Sequence, residues 1–112
     1  MIYKQILLEG RGQLELATEI MYNIASERAS GVKLLRFDID ASDGERAARG
    51  ALNKAIRILK GMKSRGAIQF IATADSFAGQ TREAMFLLNK YPEYVENGGT
   101  EPENGCYVYI SI

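Results

Sequence analysis

Residues 32–64, VKLLRFDIDASDGERAARGALNKAIRILKGMKS, restrict the fold more than any other stretch. An extended apolar run passes into an acidic tip and then into a long basic segment with helical spacing. Val32 to Ile39 reads as a strand. Ser42 opens the next element, and Glu45, three residues on, completes the pattern of a capping box. Ala48, Leu52, Ala55, Leu59 and Met62 then recur at helical intervals to about Lys63, with Arg46, Arg49, Arg57 and Lys60 on the other side. Gly50 alone opposes this helix, at a cost of about 1 kcal/mol relative to Ala.

The flanking chain continues the alternation of strand and helix. Residues 2–8 have a period of two, with Ile2, Ile6 and Leu8 on the face of Lys4. After Glu9-Gly10-Arg11-Gly12, residues 13–29 take a helical period: Leu14, Ala17, Met21 and Ile24 form one stripe, with Leu16, Ile20 and Ala25 beside it. Residues 67–74, AIQFIATA, are almost wholly apolar, as a strand covered on both faces should be, and are expected at the centre of the sheet. Asp75 or Ser76 then caps a helix over 77–90, which Pro92 ends. A polar loop over 93–105 carries Glu93, Glu96, Glu101 and Glu103. The closing CYVYISI alternates as an edge strand with one wetter face would.

This order predicts a single α/β domain, β-α-β-α-β-α-β. Its four-stranded sheet is mostly parallel, it has three helices, and its last strand is free to pair antiparallel. The alternative is a two-layer α+β sandwich with the helices on one face.

Composition narrows the chemistry. Among 112 residues there is no histidine, so the commonest general base and metal ligand is missing. The single cysteine, Cys106, cannot close an internal disulfide, which suits a reducing, cytoplasmic setting. The formal net charge is zero, so no global field recruits nucleic acid or a membrane surface. No run approaches the ~20 apolar residues of a membrane helix, and MIYKQILLEG is too interrupted for a secretory leader.

Parallel strands would bring their C-terminal ends to one edge, where open α/β sheets bind ligands. Three tips would meet there: Glu9–Gly12, Asp38–Asp43 and Thr73–Ser76. Asp38 and Asp40 share a strand face, and with Glu9 they offer oxygen ligands suited to Mg²⁺. Arg11, Asp75, Ser76 and Arg82 are the candidate binding groups for a small anionic ligand beside them. Equally, Asp40, Asp43 and Asp75 can satisfy free N–H groups at helix starts.

Known motifs fit only in part. Position 15, where the dinucleotide fingerprint needs a third glycine, holds Glu15. Asp43 occupies the place where a calcium loop needs glycine. Glu9-Gly10 after one strand and Asp38-x-Asp40 after a later one resemble the acidic motifs of the Toprim domain. The resemblance covers a short stretch, and the chain leaves no room for the strand–helix unit found between those motifs in that family.

Three functions follow. The first is a non-enzymatic protein that self-associates into a homo-oligomer and binds a small ligand at the strand-end edge, with no cofactor and no catalytic residue. The second is a Mg²⁺-dependent phosphoryl-transfer or phosphoesterase-type enzyme holding its ion on Glu9, Asp38 and Asp40. The third is a nucleic-acid adaptor working through Arg46, Arg49, Arg57 and Lys60, which the zero net charge disfavours.

Overall fold

The computed structural model describes residues 2–96 and 105–112. Its elements are β1 (Tyr3–Leu8), α1 (Gln13–Ala29), β2 (Leu34–Ile39), α2 (Glu45–Ser64), β3 (Phe70–Thr73), α3 (Ala74–Gly79), α4 (Arg82–Lys90), α5 (Glu93–Glu96) and β4 (Tyr107–Ser111). Most of the acidic loop expected over 93–105 lies outside the described residues.

The four strands form one mixed sheet in the order β1-β2-β4-β3. β1 and β2 are parallel, and β4 lies antiparallel between β2 and β3. The fold is α/β, but the expectation of a mostly parallel sheet is corrected: only one of the three strand pairs is parallel. The expected places of the last two strands are also exchanged, with β3 at an edge and β4 inside. The apolar run of β3 misled because α2 and α4 cover both of its faces even at the edge. The tyrosines of β4 misled because they look like a wet face, yet all five residues of β4 are buried. A tyrosine can sit in a core when its hydroxyl finds a partner.

Helices cover both faces, which also removes the two-layer alternative. On the first face, Leu16, Ile20 and Ile24 of α1 and Ala55, Leu59 and Met62 of α2 pack with Leu35, Phe37 and Ile39 of β2 and Val108 and Ile110 of β4. On the second, Ala84 and Leu87 of α4 and Tyr94 of α5 pack with Leu34, Ala72, Tyr107 and Tyr109. Each strand of the middle pair thus sends alternate residues into two different cores, as the period of two requires.

Two helix starts differ from expectation. α2 begins at Glu45 behind Gly44, whose φ of +107° suits glycine and strains other residues. Ser42 does not cap it: its N–H and hydroxyl bond to Asp40 (3.0 and 2.9 Å) in a turn before the helix. The single helix expected over 77–90 is instead two. α3 is capped by Thr73 and α4 by Thr81, with Gln80 between them in the left-handed region (φ +50°). Neither Asp75 nor Ser76 is the cap, because the helix starts at Ala74, three residues before the expected position 77.

Candidate functional site

β1, β2 and β3 all run opposite to β4, so their C-terminal ends share one rim of the sheet. β4 separates β3 from the other two, and the rim therefore divides into two places.

The first lies at the ends of β1 and β2. The Arg11 guanidinium donates to both Asp43 oxygens (Nε 3.0 Å, Nη2 2.8 Å) and to the Asp40 backbone carbonyl. Lys54 of α2 donates to the Arg11 carbonyl (2.9 Å). The Glu19 carboxylate accepts the N–H groups of Glu9 (3.1 Å) and Gly10 (2.6 Å). A side chain at position 10 would displace that carboxylate and crowd Glu15 Cβ (3.0 Å), so glycine lets the loop close on Glu19. The Asp43 hydrogen bond, reinforced by the nearby acids, raises the Arg11 pKa above its ordinary value. The same bond holds the Asp43 carboxyl below the usual aspartate value. These bonds tie the loop before α1 to the loop before α2.

Asp38 and Asp40 are employed differently. Arg36 stands two residues before Asp38 on the same strand face, is almost wholly buried, and grips both Asp38 oxygens (Nε–Oδ1 2.6 Å, Nη2–Oδ2 2.9 Å). Its remaining Nη1 donates to the Tyr109 hydroxyl (3.3 Å), which is bonded to the Tyr94 hydroxyl of α5. Burial works against the Arg36 charge, but the bonds to Asp38 and Tyr109 outweigh it and raise its pKa. Burial, with the Tyr94 bond, pushes the Tyr109 phenol far up, so it stays protonated. Tyr3, Phe77 and Tyr107 ring this network at centroid distances of 4.9–6.3 Å from Tyr109. It joins β2, β4 and α5 through polar bonds inside an apolar layer, where an unpaired group would be costly, and Tyr3 of β1 packs its ring against them. Sequence reasoning overlooked Arg36, although the period of two that linked Asp38 to Asp40 also linked Asp38 to Arg36.

Among the described residues, no group of three or more His, Cys, Asp or Glu side chains gathers as a metal site requires. Glu9 is exposed, Asp40 serves the Ser42 turn, and Asp38 faces Arg36.

The second place is a groove beside β3. A cavity of about 230 Å³ lies between Arg49, Leu52, Asn53 and Ile56 of α2 and Thr73–Asp75. An adjoining one of about 440 Å³, sharing Asn53, Ile56 and Thr73, extends past Lys60 and Lys63 to Ser76 and Glu83. Of the four candidate ligand groups, Asp75 and Ser76 border this groove, Arg11 belongs to the first place, and Arg82 is exposed at the start of α4.

Compared with known proteins, the chain matches no family model, no curated sequence and no solved structure. Function therefore has to be argued from geometry. No helix of the described residues is long and apolar enough to cross a membrane.

A third surface feature lies on α1. Leu14, Met21 and Tyr22 are 80%, 59% and 72% exposed. With Thr18 and Ala25 they occupy the side opposite the buried stripe of Leu16, Ile20 and Ile24. Of the stripe read from periodicity, Leu14, Ala17, Met21 and Ile24, only Ile24 is buried, and the inner face is built instead with its neighbours Leu16 and Ile20.

Proposed function

We propose that the protein is a non-enzymatic α/β module that self-associates, its copies meeting through the outer face of α1. The observation that carries this reading is the exposed stripe of Leu14, Met21 and Tyr22, large apolar side chains held in water on a rigid helix. A twofold axis across α1 sets this stripe against itself in antiparallel array, the self-complementary arrangement of homodimers. The zero net charge adds no repulsion between copies. The stripe offers on the order of 500 Å² per copy, near the lower bound for a specific interface, so the expected dimer is weak.

Sedimentation from 1 to about 100 µM, chosen to bracket a weak dimer, tests it. The wild type shifts from monomer to dimer across that range, and Met21→Asp stays monomeric with an unchanged melting temperature. A wild type that is monomeric throughout sinks the reading. The phosphoryl-transfer alternative draws less support, because the Asp38 oxygens already serve Arg36. The adaptor alternative keeps its basic face on α2, where Lys63 stands over the Phe70 ring, but the zero net charge supplies no field to recruit nucleic acid.

A further inference from the structure

β3 is an edge strand, and among the described residues no strand pairs with its outer side. Half of the backbone N–H and C=O groups of such a strand point outward, a template for another extended chain. The larger cavity described above, lined by Ile71 and Thr73, lies at this open edge, and the smaller, which Gly105 also lines, continues past the C-terminal end of β3. One α2 stripe forms the wall of both cavities: Arg49, Leu52, Asn53, Ile56, Lys60 and Lys63, at helical spacing over the 15 positions 49–63. At 1.5 Å per residue the wall is about 21 Å long, room for roughly six extended residues.

The charges select the occupant. Lys60 and Lys63 stand one turn apart on the α2 wall, and Arg49 lies toward its other end, bonded to Glu45 (3.1 Å). The opposite wall carries Asp75 and Glu83. Glu83 already accepts its own backbone N–H and a Thr81 bond and feels Lys63 and Arg82, which together hold its carboxyl below the ordinary value. A second copy adding its own β3 about a twofold would bring α2 alongside α2 and set these lysines against their own images. That repulsion disfavours self-pairing. Ile56 and Ile71, on the same side as these lysines, give the groove an apolar floor.

We propose that the β3 edge is a docking site for an extended acidic peptide segment of a partner protein, added as a fifth strand with its acidic side chains toward Lys60 and Lys63. Backbone bonds to the edge supply affinity, and the α2 wall supplies the preference for acidic residues. The site is separate from the outer face of α1 and does not depend on it.

The probe is a blocked heptapeptide, acetyl-Thr-Glu-Val-Glu-Val-Glu-Thr-amide, titrated into the full chain and followed by amide chemical shifts and hydrogen exchange. Binding is expected to shift and protect Phe70–Thr73, to weaken at least tenfold in Lys60→Glu/Lys63→Glu, and to vanish when the peptide backbone is N-methylated. The same peptide with lysine in place of glutamate should bind at least tenfold more weakly. The proposal is overturned if the β3 amides do not respond, if the lysine peptide binds as well, or if the double variant binds unchanged. Both lysines are exposed, so the variant should fold, and its melting temperature checks this.

Discussion

Helices α1 and α2 lie side by side on the same face of the sheet, yet they meet water in opposite ways. α2 buries Ala48, Ala51, Ala55, Leu59 and Met62 and turns Arg46, Arg57 and Lys60 outward. α1 buries Leu16, Ile20 and Ile24 and turns Leu14, Met21 and Tyr22 outward. Folding needs only the inner stripe of each. The outer stripe of α2 keeps the surface soluble, whereas that of α1 contributes nothing to the monomer. This exposed apolar stripe is the feature on which the proposed self-association rests.

The largest effect separates the two stripes of α1. Leu16→Ala should cost about 3 kcal/mol, and Leu59→Ala on α2 should cost about the same, because each empties a fully buried position. Leu14→Ala should change stability by less than about 0.5 kcal/mol. Urea midpoints at low protein concentration measure all three. A Leu14→Ala loss as large as that of Leu16→Ala would mean that the outer face is covered after all.

A smaller effect contrasts two glycines of the α2 segment. Gly44→Ala should lower stability by about 1 kcal/mol or more, because its φ is positive. Gly50→Ala should raise it by up to about 1 kcal/mol, since an added methyl meets open space in mid-helix. Opposite signs in thermal melts confirm that Gly44 is the turn residue before α2 and Gly50 lies in mid-helix.

The smallest effect concerns the tie between the two helix entrances. Asp43 has a lowered pKa in the folded chain. Its contribution is therefore present above the ordinary aspartate value of about 3.9 and is lost as pH falls through the folded value. Asp43→Asn should be slightly less stable than wild type at pH 7, and the gap should close in strong acid. The pair is exposed, so the gap is small and shrinks with salt. A gap that persists below both pKa values would show that Arg11 is not what holds Asp43.

Much of this architecture was legible. Period-two runs marked β1 and β4, an extended apolar run marked β2, and the helical stripe of α2 was placed residue by residue. What failed involved choices between equivalent patterns. α1 carries two apolar stripes, and periodicity alone cannot say which faces the sheet. Thr73, Asp75 and Ser76 are all capping residues, and only the backbone path chose Thr73. Arg36 in β2 reads as a charged residue out of place in mid-strand until Tyr109, 73 positions later, joins its shell of partners.

The sequence by itself determined the order of strands and helices, because backbone preference and hydrophobic period act over a few residues. Only the tertiary structure decided which strand lies inside, where Arg36 and Asp38 spend their charges, and which apolar stripe stays in water. Those outcomes depend on partners distant along the chain, and local pattern carries no record of them.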